Sequence, residues 1–169
     1  MTDPIDDDII QDGRQIRVTW RGAEFTPPRA LVTQASGVCF SEDGKVVLET
    51  KDGASWQLVG GHPEPGESIE QAFVREVAEE TSAEVLEMRY LGAQEVSDPD
   101  NPEGMVVYYQ ARFWAKVRLG EFTPQFEVIE RRCVAVEEVW EALIWQTVNV
   151  LEQLLVLSVE MNKVVTGSS

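Results

Sequence analysis

Apolar and polar residues alternate through QIRVTW, residues 15–20, with the period of two that marks a strand having one buried face. Pro27 and Pro28 punctuate the segment that follows, and the apolar run LVTQASGVCF, ending at Phe40, reads as a buried strand. A turn at EDG, residues 42–44, leads into KVVLET, and Asp52-Gly53 leads into SWQLVG, which predicts antiparallel strands joined by tight turns. Beyond these, EVLEMRYLGAQEV and MVVYYQARFWAKV flank the loop SDPDNPEG, and their β-branched and aromatic content favours strand. A short strand at RRCVAV precedes a helix predicted over 137–161. That helix is apolar on nearly every side between Val148 and Val159, as expected for burial on two sides or a subunit contact.

The period changes in the middle of the chain. Ser68, with Gln71 three residues on, forms a capping-box pattern that starts a helix just after Gly66 and Glu67. Ile69, Phe73 and Val77 then recur every four residues and supply a stripe to pack on the sheet.

Composition sets limits on these elements. The 169 residues are 43% hydrophobic, which suits one domain, placed at 15–162, with a short tail at 163–169. The first dozen residues hold five aspartates and little to bury, so residues 1–14 are expected to form a flexible acidic arm. A net charge of −16 argues against coating a nucleic-acid polymer, which takes clustered Lys and Arg. A small phosphorylated ligand remains compatible if a metal ion bridges the two negative partners. Cys39 and Cys133 each sit in an apolar run, as reduced buried thiols do, and point to a cytoplasmic protein. No basic start with an apolar stretch occurs, and LLVLSVEM is too short to cross a bilayer, so no membrane association is expected.

The candidate chemistry lies on the central helix. Glu76, Glu79 and Glu80 fall at i, i+3 and i+4 and share one patch, where a like-charged pair costs a helix about 0.2–0.5 kcal/mol. Hard divalent cations take oxygen ligands and commonly combine a few carboxylates with substrate phosphates, which this patch can supply. Arg75 is a partner for Glu67 or Glu79 that would hold the cluster in shape. Glutamate is also a good helix former, so three of them on a solvated face would be ordinary on their own. The wider spacing is not ordinary. From Gly61 come five residues, Glu67, seven residues, Arg75-Glu76, apolar Val77, one residue, and Glu79-Glu80.

This spacing resembles the Nudix box, the signature of the Nudix hydrolases. The chain departs from the pattern at Ser82, where the family has glycine, and at Val59, where it often has proline. The resemblance implies an α/β fold, an α/β/α sandwich with a mixed β-sheet between helices. It also implies Mg²⁺-dependent, or Mn²⁺-dependent, cleavage of a pyrophosphate bond in a nucleoside diphosphate linked to another moiety. The alternative is a Nudix-fold sensor that binds a nucleotide without turning it over; such proteins typically lose box glutamates, which this chain keeps. Carried over, Glu79 and Glu80 are metal ligands, Glu76 is a ligand or positions the water, and Glu67 and Arg75 support them. The backbone of Gly60 and Gly61 is expected close to metal and diphosphate, because neither carries a side chain.

A general base outside the box is expected in FTPQFEVIE, at Glu127 in preference to Glu130. His62, the only histidine, reads as a turn residue. Trp20, Phe25, Tyr108 and Trp114 are candidates for stacking on a nucleobase, although aromatics in strands more often belong to a core. Pro99 falls sixteen residues past Ala83, where ADP-ribose-cleaving relatives often carry proline. Nucleoside triphosphates and ADP-ribose-like sugars both stay open as the small-molecule substrate. A homodimer is compatible with the apolar final helix.

Overall fold

The computed structural model describes residues 3–143 and 145–167. Eight strands form one sheet: β1 (Asp6–Gln11), β2 (Arg14–Arg21), β3 (Val32–Phe40), β4 (Val46–Thr50), β5 (Trp56–Gly61), β6 (Ala83–Ser97), β7 (Val107–Leu119) and β8 (Glu130–Val134). Their spatial order is β1-β2-β6-β7-β3-β5-β4-β8, with β3 and β7 parallel and the other pairings antiparallel, so the sheet is mixed as expected. Helix α1 (Ile69–Thr81) covers one face and α3 (Val148–Thr166) the other, with a single helical turn, α2 (Val139–Ala142), between β8 and α3. No helix among the described residues is long and apolar enough to cross a membrane.

Two cores result, one on each face. Under α1, Ala72, Phe73 and Val77 pack on Val47, Val59, Ala111 and Phe113; the Phe73 and Phe113 rings stack at 4.9 Å. Under α3, Leu151, Leu154 and Leu155 pack on Val38, Leu48 and Trp114. The apolar stripe that the spacing predicts for α1 is therefore its buried face, and Ser68 caps it with the full capping box. At the other end Ser82 takes the left-handed conformation, φ 55°, that glycine adopts without strain. Hydrogen bonds offset that cost. The Ser82 hydroxyl accepts the Thr123 N–H, its carbonyl accepts the Gly120 N–H, and Arg131 donates to the Thr81 carbonyl, placing a cation at the negative end of the helix dipole.

The expected boundaries fail at both chain ends. Residues 6–11, expected within an acidic arm, form β1 on the sheet edge, because their aspartates have partners. Asp8 binds Arg17 across the ladder, and Asp7 accepts the Asn149 and Val150 backbone N–H groups at 3.1 and 2.9 Å, capping α3, whose own cap residue Thr147 does not. Residues 1–2 of that arm lie outside the described residues. The single helix expected over 137–161 is broken: a short 3-10 turn and α2 end at Ala142, and Leu143 is extended, bridging to Trp56. Helix α3 then runs on to Thr166, into the expected tail, of which 168–169 lie outside the described residues. Its Val150, Leu151, Leu154 and Leu155 are buried while Val148, Val156 and Val164 are exposed, so one face packs and the other meets solvent.

Phe73 is fully buried and Val164 is 79% exposed. Phe73→Ala should lower the unfolding free energy by about 3–5 kcal/mol, whereas Val164→Ala should change it by no more than about 0.5 kcal/mol. Urea denaturation of the two variants checks both, and equal effects would mean that α1 is not anchored through this ring.

Candidate active site

The capping box fixes where α1 begins, and the 3.6-residue period then places Arg75, Glu76, Glu79 and Glu80 near its C-terminal end, beside the close of β5. Arg75 organises this group. Its guanidinium makes a two-point contact with Glu67, Nε to Oε2 at 2.7 Å and Nη2 to Oε1 at 3.0 Å. Nη1 donates to Glu76 at 2.9 Å and to Glu79 at 3.1 Å, and Nη2 also donates to the His62 carbonyl. One cation thus holds three carboxylates and the turn before the helix. The Arg75 contact, with help from the Glu64 N–H, holds the Glu67 carboxyl down at about 2.

Glu80 stands apart from Arg75 and is 6% exposed. Its Oε1 accepts the Gly60 N–H at 3.0 Å. Burial, then the nearby Glu49 and Glu76 charges, push its pKa up to about 8 against the pull of that N–H and of Lys51. The two glycines permit this closeness. At Gly60, φ 152°, a side chain would run into Ser36 and the Ala35 carbonyl, and at Gly61 a Cβ would come within 2.5 Å of the Glu76 carboxylate.

The sequence reading missed Glu49. It lies on β4 with 1% exposure, and its Oε2 has no hydrogen-bond partner. Burial raises its pKa, and the Glu76 and Glu127 charges add to the rise while Lys51 opposes it. Glu49 therefore faces the same acidic group from the sheet side. A signal was present: Glu49 follows the apolar run VVL inside a predicted strand, and an acid carried into a buried strand, as this one is, has a desolvation cost with no structural return.

The remaining candidates separate. Glu127 is an exposed loop residue whose carboxylate meets Lys51 at 3.1 Å, at the rim of the cluster. Burial works against the charge on Lys51, but Glu127, Glu80 and Glu49 more than offset it, so its pKa is raised. Glu130 is exposed at the start of β8, opposite Thr50. The aromatic candidates do not share a surface. Trp20 and Trp114 belong to the core under α3, where nothing is left to stack on. Phe25 lies against the other core, packed on Tyr109 with the Arg21 guanidinium 3.9 Å from its ring. Tyr108 alone lines open space. Pro99 lines a groove along β1 and β2, away from α1.

Chemically, the site gathers carboxylate oxygens with more negative charge than Arg75 and Lys51 balance, an arrangement that can hold a divalent cation. Among the described residues, no three acidic, histidine or cysteine side chains already stand together as a finished metal cage.

Comparison with known proteins places this geometry. The model of the NUDIX domain matches residues 30–154. NAD-capped RNA hydrolase NudC of Pseudomonas aeruginosa is 36% identical over 75 residues, 44% of this chain and 24% of that protein. The putative 8-oxo-dGTP diphosphatase YtkD of Bacillus subtilis is 42% identical over 53 residues, 31% of this chain and 34% of that protein. The chain thus spans about a quarter to about a third of the length of these relatives. Among solved structures, the Bacillus subtilis pyrophosphohydrolase BsRppH shares the fold with a TM-score of 0.60 at 20% identity, over 95% of this chain and 97% of that one. An ADP-ribose pyrophosphatase from Streptococcus suis matches with a TM-score of 0.51 at 22% identity, over 77% and 90%. With the family model matching most of the chain, and Gly61, Glu67, Arg75, Glu76, Glu79 and Glu80 assembled at one end of α1, the chain belongs to the Nudix family.

Proposed function

We propose that the chain is a divalent-metal-dependent pyrophosphohydrolase that cleaves a nucleoside diphosphate linked to a further moiety. The observation that carries this reading is the convergence of Glu76, Glu79 and Glu80 with the buried Glu49, whose Oε2 has no partner. Burial and neighbouring carboxylate charge raise the pKa of Glu49 and of Glu80, so the group calls for a positive charge that the protein does not supply in full, and the residues present fit Mg²⁺ or Mn²⁺. Glu76, Glu79 and Glu80, with the Gly60 backbone, would hold the ion. When bound, it neutralises phosphate oxygens and lowers the pKa of the attacking water.

The protein's own groups do the rest. Arg75 fixes the positions of Glu76 and Glu79, and Glu67 fixes Arg75. Gly61 leaves room for the Glu76 carboxylate against the strand end. Two carboxylates can take the proton of the water. Glu127, expected from the sequence, has its carboxylate occupied by Lys51. We assign the step to Glu49 Oε2, because burial raises its pKa and the oxygen is free to accept. The retained box carboxylates favour turnover over nucleotide binding alone.

Mononucleotide or phosphate release should be measured with nucleoside triphosphates, oxidised triphosphates, ADP-ribose, other nucleotide sugars and dinucleoside polyphosphates, in Mg²⁺ and in EDTA. Metal-dependent release from one class is expected; silence across the panel with Mn²⁺ also tried would overturn the reading. Glu49→Gln should lower kcat by roughly 10²–10⁴-fold while keeping the rise in melting temperature on adding Mg²⁺. Glu80→Gln should lose both, since it removes a ligand.

A pH dependence follows for the metal-free protein. Folding raises Glu80 from its ordinary 4.5 to about 8, so the folded state holds an extra proton between those values. Its contribution to stability is fully present below about pH 4.5 and is lost as pH rises through about 8. Melting curves in EDTA should therefore fall over this window, and Glu80→Gln should flatten the fall.

A further inference from the structure

On the face of the sheet opposite α1, three adjacent strands carry a polar row in an otherwise apolar core. Gln34 on β3 pairs with Gln110 on β7, which pairs with Gln94 on β6, and one step along stand Ser36 and Arg112. Arg112 is 2% exposed, pairs with no carboxylate among the described residues, and has its pKa lowered to about 9 by burial. Its guanidinium donates to the Oε1 atoms of Gln94, Gln34 and Gln110 and to the Ser36 hydroxyl. A guanidinium only donates, so all three amides must turn their oxygens toward it. Their NH₂ groups are left over, and among the described residues none of them donates to a protein acceptor.

These side chains line a cavity of about 290 Å³, close to the roughly 300 Å³ lower end of small-molecule sites. Tyr108 and Trp145 line it as well, the Trp145 ring 5.7 Å from the Arg112 guanidinium. In a chain with 30 acidic residues, no Asp or Glu among the described residues lines this space. The cavity therefore offers donors, one buried cation and flat aromatic walls. Tyr108 and Gln110 also line a neighbouring cleft of about 440 Å³, whose wall includes Asp12, Asp98, Glu103 and His62; the His62 carbonyl is held by Arg75. Ser36, bonded to Arg112, is the ladder partner of Gly60, which is bonded to Glu80.

We propose that this cavity holds the base of the substrate and selects bases whose edge carries carbonyl acceptors, guanine or uracil and their oxidised forms, over adenine and cytosine. The proposal rests on the pyrophosphohydrolase reading above for the location of the other end of the substrate. Amide NH₂ groups meet guanine O6 or uracil O4, whereas the N6 or N4 amine that stands in the same place on adenine or cytosine points a donor at donors and leaves both unpaired.

Binding of GMP, UMP, AMP and CMP in EDTA, followed by calorimetry, reads the cavity without the metal site, and kinetics with the four triphosphates in Mg²⁺ reads the whole site. GMP or UMP should bind about tenfold or more tighter than AMP and CMP. Gln110→Glu keeps the oxygen that Arg112 needs but removes the amide donors and neutralises the cation. It should preserve the melting temperature and raise KM for the preferred nucleotide about tenfold, the loss falling in KM and not in kcat. Metal-dependent hydrolysis without base preference, a preference for adenine, or an unchanged KM in Gln110→Glu would overturn the cavity assignment and leave the hydrolase standing. Base-selective mononucleotide binding with no hydrolysis of any triphosphate would keep the cavity and overturn the hydrolase. No selectivity in binding and no hydrolysis would overturn both.

Discussion

The arrangement at the end of α1 depends on one guanidinium. Arg75 meets Glu67, Glu76 and Glu79 at 2.7–3.1 Å together with the His62 carbonyl. Without it, carboxylates one helical turn apart would repel, and the His62 carbonyl would lose its tie to the helix. Arginine suits this position where lysine would not, because a planar fork can satisfy acceptors in several directions at once. The helix itself is fixed from below by Phe73 on Phe113, so the charged upper surface and the apolar lower one are set by the same register.

The box helix was legible because its signals are local: a capping box, a four-residue apolar stripe and fixed carboxylate spacing all lie within about 20 residues. Most strands were legible for the same reason. What the sequence concealed depends on contacts between distant segments. The acidic opening reads as a solvated arm until Arg17 and the α3 amides are known to be its partners. The break at Leu143 is an extended residue docking on Trp56, with no proline or glycine to announce it. Glu49 and Arg112 were overlooked as charges inside apolar strands, although a charge at a buried strand position is the pattern that points to function.

The two faces of the sheet are matched opposites. Toward α1, the protein buries acids whose charge exceeds the cations beside them; toward α3, it buries a cation ringed only by neutral dipoles. Both choices sacrifice stability, since apolar residues of similar volume would serve a core as well or better. The Ser36–Gly60 ladder pair lies between the two groups, so their separation is fixed by backbone hydrogen bonds and not by flexible loops. That rigidity would suit the proposed ligand, gripped at both ends.

The cap that Asp7 supplies to α3 makes the first strand mechanically part of the body that carries the Arg112 cavity. A carboxylate 142 residues upstream satisfies the first turn of the helix that roofs the second core, and β1 contributes Ile9 to the wall of the Arg112 cavity. The first strand and the start of the last helix thus close on each other like a clasp. An alteration near the amino terminus, far in sequence from every box residue, would be transmitted through α3 to the shape of that cavity.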